Sequence, residues 1–206
     1  MLDWYHLVLF LHILGALGLF MGVAIELTAM IGASQARSVE AVRVWSSVNR
    51  PLALFMPLTS SVIFFAGLAM LLGAWGWRHA WLDVSLVLFL LIGLVVSPVN
   101  GAHGRRLGAL LAQASEGPVS LELRQALTYP LHWATTITTS FLAIGIVFLM
   151  VIKPDLAGTL VTILIALIFG IISSWLMIRR NRASATAVPH ELLSATHLPR
   201  QPRSEG

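Results

Sequence analysis

Apolar residues in this chain come in long unbroken runs, not in the alternation of a half-buried strand or the one-sided stripe of a surface helix. Five runs stand out, near Trp4–Met30, Leu52–Trp75, Trp81–Val99, His132–Ile152 and Leu156–Ile178. A hydrocarbon core about 30 Å thick is crossed by roughly 20 residues of helix rising about 1.5 Å each, so each run is long enough to span. Continuous segments such as "LVLFLLIGLVV" do not alternate, which argues against a membrane barrel. The pattern predicts an all-α membrane protein: a bundle of about five transmembrane helices over residues 1–182, followed by a flexible cytoplasmic tail over 183–206.

The polar intervals are short. In "SQARSVEAVRVWSSVN" the residues Val39, Val42, Val44 and Trp45 stand among charges, which predicts an interfacial helix before Pro51 opens the second span. Between Gly101 and Tyr129, "RRLGALLAQA" and "SLELRQALTY" form two candidate helical pieces separated by the breaker "SEGPV". "KPD" is a tight turn. The tail is rich in Pro, Ser, Thr and Arg, and its His190 and His197 read as solvated groups.

Composition agrees: 57% hydrophobic and 11% charged residues with a mean hydropathy of +0.85. Basic residues set the threading, because Lys and Arg collect in short cytoplasmic loops. With the N-terminus outside and the C-terminus cytoplasmic, the inner segments hold Arg37, Arg43, Arg50, Arg105, Arg106, Arg124, Arg179, Arg180, Arg182, Arg200 and Arg203, and the outer ones only Arg78 and Lys153. That asymmetry accounts for the net charge of +4 with anionic lipid as the counterpart and no nucleic acid. Trp4, Tyr5, Trp75, Trp77 and Trp81 then mark the outer interface, and Trp45, Tyr129, Trp133 and Trp175 the inner one. Asp3, not a basic residue, precedes the first run, which is also too long for a signal-peptide core, so the first helix is expected to be retained.

Candidate chemistry is sparse. Without cysteine there is no disulfide, thiolate metal site or iron–sulfur cluster, and no P-loop, GxGxxG, HExxH or GxSxG motif occurs. The first span nevertheless carries His12 and Glu26. At 100° per residue both fall on one face with Gly15, Ala16, Leu19, Gly22 and Val23, and Gly18-xxx-Gly22 edges it. This face is expected to point into the bundle, where polar groups find partners that lipid does not offer. A Gly-lined helix suits docking within the chain or against a second copy or another membrane protein.

Fourteen residues separate His12 from Glu26, about 21 Å along a helix, so they occupy opposite membrane levels. Glu26 shares its level with His103 and His132, a set that suits a divalent metal, a proton relay or a plain structural contact. His12 is a candidate cofactor ligand for haem b. Its bland alternative is a buried imidazole bonded to a Thr or Ser across the bundle. A bis-histidine haem needs two imidazoles at one depth. His6 faces away from His12, His79 lies in an outer hairpin, and His103 with His132 sit at the aqueous edge. Candidate hydroxyl partners are Thr59, Ser60 and Ser61 in the second span and Thr135, Thr136, Thr138, Thr139 and Ser140 in the fourth. Such hydroxyls commonly bond their own i−4 carbonyls, and Pro57 and Pro98 are expected to bend their helices.

"LHILGALGLFMG" (Leu11–Gly22) and "VFLMVIKP" (Val147–Pro154) resemble the uncharacterised bacterial family of predicted integral membrane proteins, a domain of unknown function with about four spans. The likeness covers about Leu7 to Pro154. His12–Ala16 is also similar to first helices of the copper resistance protein D and protoporphyrinogen-oxidase-like families, where histidines are tied to copper or haem. That likeness stops at one helix, and the seven Met residues are scattered, not clustered as in copper motifs. The resemblance implies a bacterial inner-membrane protein with no established activity. Two function classes stand: a non-enzymatic multi-pass bundle acting through partners, lipids or small-solute passage, and a redox protein holding haem or a divalent metal on intramembrane histidines.

Overall fold

The computed structural model describes residues 3–186 and, among them, contains helices and no strand. Helices α1 (Trp4–Gln35), α2 (Val39–Val48), α3 (Leu52–Met70), α4 (Ala80–Gln113), α5 (Leu121–Leu127), α6 (Pro130–Ile152) and α7 (Leu156–Thr186) come in that order. Five helical segments are long and apolar enough to cross a membrane, at the places the hydropathy runs predict. The expected tail lies almost wholly outside the described residues, and α7 itself continues to Thr186.

Local chemistry explains the joints. Ser38 accepts a hydrogen bond from the Ala41 N–H and so caps α2, the interfacial helix the sequence predicts. The piece "RRLGALLAQA" is not a separate helix, because nothing between Val99 and Gln113 breaks the third span and α4 runs through as 34 residues, about 51 Å. Pro57 and Pro98 stay inside α3 and α4. At its far end α3 widens into a π-helical turn, Leu71–Trp75, closed by the Gly76 N–H on the Leu71 carbonyl at 2.7 Å, with Gly76 at φ +69°. One extra residue in the turn shifts the register of the helix end, and here it brings Trp75 towards Tyr5 and Trp81.

Two packed groups make up the bundle: α1 lies against α3, and α6 against both α7 and α4. The small residues of α1 face α3. A Cβ on Gly15 would lie 2.9 Å from Ile63 Cγ1, and one on Gly18 2.7 Å from Thr59 Cγ2. The Gly-lined face is therefore used inside the chain. Backbones of α1 and α3 stand back from those of α4 and α6, leaving a seam between the groups.

At the arginine-rich end α2 and α5 cover the helix termini. Ala33, Ala36, Val39, Val42, Leu123 and Leu127 form a small buried core there. Arg124 donates to the carbonyls of Ser34 (3.3 Å) and Ala36 (3.0 Å) at the end of α1. Arg43 donates to those of Leu111 (3.3 Å) and Ala114 (2.7 Å) at the end of α4. Glu40 accepts from the Gly117 N–H at 2.9 Å, and Gly117 sits at φ +124°, a conformation that favours glycine. Two of the arginines assigned to anionic lipid thus close orphan helix carbonyls, where a cation also complements the helix dipole.

Because the α1–α3 approach leaves no room for side chains at Gly15, replacing Gly15 with Leu is expected to lower stability by about 1–3 kcal/mol. The Cβ of Gly93→Ala meets open space. That variant is expected to be neutral or stabilising by up to about 1 kcal/mol. Thermal or denaturant unfolding in detergent measures both, and equal effects would contradict the packing.

Candidate functional site

The two levels of α1 hold two different polar arrangements. At the first, His12 Nδ1 lies 3.0 Å from the Ile63 carbonyl oxygen on α3. A carbonyl only accepts, so Nδ1 carries the proton and donates. In the neutral ring Nε2 then keeps its lone pair. Gly67 makes the approach feasible, since a Cβ there would stand 3.2 Å from His12 Cε1. The partner of His12 is therefore backbone, not the Thr or Ser the sequence suggests. Those hydroxyls mostly bond their own helices: Thr59 to the Phe55 carbonyl, Ser61 to Pro57, Thr139 to Thr135 and Ser140 to Thr136. Thr138 instead meets Ser174 of α7 at 3.1 Å, and the buried Thr136 hydroxyl has no hydrogen-bond partner.

His12 lines a cavity of about 320 Å³ in the seam between the two helix groups. Its wall is almost wholly apolar, with Phe64 from α3, Phe89 from α4 and Ile146 from α6 opposite α1. Ser85 lines it too, but its hydroxyl donates to the Trp81 carbonyl at 2.6 Å. At the tryptophan end, Trp75 Nε1 donates to the Tyr5 hydroxyl at 3.3 Å and the Trp75 and Trp81 rings meet edge to face at 5.5 Å. Lys153, the left-handed C-cap of α6 at φ +52°, holds its ammonium 4.3 Å from the Trp75 ring centre, a cation–π contact over the cavity rim. Among the described residues no second histidine lines this wall. His6 pairs with Asp3 at 3.9 Å, and His79 packs against Trp75 and Trp81.

At the second level the expected Glu26, His103 and His132 do gather, through Asn100, a residue that the sequence does not single out. Asn100 donates from Nδ2 to Glu26 Oε1 at 3.4 Å and accepts from His132 Nδ1 at 3.0 Å. His132 stacks on His103 with ring centres 4.1 Å apart, and His103 stacks on Tyr129 at 6.0 Å. Among the described residues no group of three His, Cys, Asp or Glu is placed to hold a metal ion. The amide stands between the carboxylate and the imidazole, and two imidazoles packed face to face do not converge on one point. The arrangement is instead a directional chain, in which the imidazole N–H donates to the amide oxygen and the amide N–H to the carboxylate. Such a chain ties α1, α4 and α6 together where lipid offers no partners.

Replacing Asn100 with Leu leaves both neighbours without their bonds and is expected to cost about 1–3 kcal/mol. A double-mutant cycle of Glu26→Gln with His132→Phe should show coupling in the wild-type background and none with Asn100→Leu; undiminished coupling would refute the bridge.

No curated protein and no solved structure matches the chain. A likeness of the first helix to copper- or haem-linked families is not shown. A family match spans residues 6–154, from the first turn of α1 to the turn after α6, and so takes in both polar sites and the cavity wall apart from Tyr5 while leaving α7 outside. The chain belongs to the family described as predicted integral membrane protein (DUF2269).

Proposed function

We propose that this protein is a non-enzymatic multi-pass protein of a bacterial inner membrane that takes a lipophilic small molecule from the bilayer into the cavity beside His12. The observation that carries the reading is the cavity itself: about 320 Å³, apolar-walled, with a single imidazole and a Lys153–Trp75 contact on its wall. Sites for small ligands typically measure about 300–1,000 Å³, with apolar walls and few polar groups. In this reading the tryptophan end faces outward and the arginine end the cytoplasm, in line with the basic-residue asymmetry. A second copy docking on the Gly face of α1 would have to displace α3, so the chain acts through its cavity and not through that face.

Reconstituted protein should be stabilised by an apolar aromatic probe such as naphthalene, by about 2.7 kcal/mol at a hundredfold excess over Kd. A cavity-filling Leu86→Trp variant that elutes like the wild type should lose that response. Stabilisation that persists unchanged in Leu86→Trp would remove this site from consideration. Haem ligation by His12 is the competing reading, favoured by its uncommitted Nε2. A purified protein with a Soret band that vanishes in His12→Ala would establish that reading over this one. For the threading, a C-terminal reporter active only outside the cytoplasm should stay silent.

A further inference from the structure

Resting on that reading, we infer that the cavity takes an aromatic hydroxyl compound, a phenol in the broad chemical sense, whose O–H donates to His12 Nε2. The inference comes from the tautomer. The Nδ1 proton is committed to the Ile63 carbonyl at 3.0 Å, so the remaining ring nitrogen accepts and cannot donate. Neither hydroxyl on the cavity wall answers it: Ser85 donates to Trp81, Tyr5 receives Trp75 Nε1, and no hydrogen bond joins either to His12. An acyl chain would leave the lone pair unmet. A ketone or carboxylate would set its own lone pairs against it. A hydroxyl is the smallest neutral group that satisfies it without disturbing the α1–α3 bond. Phe64 and Phe89, with Trp75 and Trp81 nearer the rim, give the wall the faces and edges on which an aromatic ring packs favourably. Lys153 also lines the cavity, but its ammonium is already met by the Trp75 ring at 4.3 Å, so charge is not demanded of the occupant.

The test compares naphthol, naphthalene and methoxynaphthalene on the full-length protein in lipid nanodiscs, each corrected for partition into empty nanodiscs. One net hydrogen bond in an apolar-walled site predicts about tenfold tighter binding of naphthol than of the other two. His12→Phe should bind all three alike. Equal affinities in the wild type would overturn the hydroxyl inference while leaving the cavity reading standing; failure of every probe to bind would sink both. Nitrogen NMR of the wild-type His12 ring covers the case in which His12→Phe does not fold. Naphthol should move the Nε2 signal away from its free lone-pair position and naphthalene should not, and an unmoved signal under saturating naphthol would also overturn the inference.

Discussion

A bilayer supplies no hydrogen bonds, so every polar group in its interior must be met from within the protein, and the close approach of α1 to α3 is where this chain first meets that demand. Gly15 and Gly18 bring the backbones near enough for Ile63 and Thr59 to pack into the space of absent side chains. The same proximity, with Gly67 opposite, lets the His12 ring reach the Ile63 carbonyl. Packing in lipid is driven by such close contact because tails are as apolar as side chains. One consequence is chemical. The bond fixes which imidazole nitrogen is a donor and so decides what the cavity can hold.

The two ends of the molecule solve the satisfaction problem differently. At the arginine end the helices overrun the hydrocarbon thickness, and their last carbonyls are taken by Arg43 and Arg124 above a small apolar core. At the tryptophan end, among the described residues, no such cover exists. There Tyr5, Trp75, Trp81 and Lys153 hold one another through ring edges, one indole hydrogen bond and a cation–π contact. Amphipathic rings suit a headgroup layer, but they close an end less tightly than a packed core does. The cavity lies beneath them.

The features legible in the sequence are those that leave a mark over several positions or in a rare residue type. Spans are legible because hydropathy acts over some twenty consecutive positions, and α2 because Val39, Val42, Val44 and Trp45 standing among charges write an apolar face. Glu26, His103 and His132 are legible as a group because ionisable residues near a membrane are few. Asn100 is not, since an uncharged amide two residues after Pro98 looks like a helix ending, whereas α4 continues to Gln113. Its one trace is a polar residue at the level of Glu26. The partner of His12 is illegible for a deeper reason: a backbone carbonyl is present at every position, and only Gly67 hints at which one is approached. Charge counting likewise registers Arg43 and Arg124 without distinguishing a headgroup from a helix terminus as their counterpart.

The seam between the α1–α3 pair and the α4–α6–α7 group connects these features. Its arginine end is bridged by the Glu26–Asn100–His132 chain and by α5, which touches both α1 and α4. Polar bonds of this kind fix separation and angle, since they weaken steeply with distance, whereas apolar contacts tolerate sliding. One end of the seam is held by directional bonds; at the other, aromatic edges and aliphatic side chains meet. The cavity of about 320 Å³ lies in this seam, and a second hollow of about 260 Å³ lies elsewhere, among Met21, Trp45 and Val48. The Asn100 bridge and the His12 cavity thus belong to one seam, the first towards its arginine end and the second towards its tryptophan end.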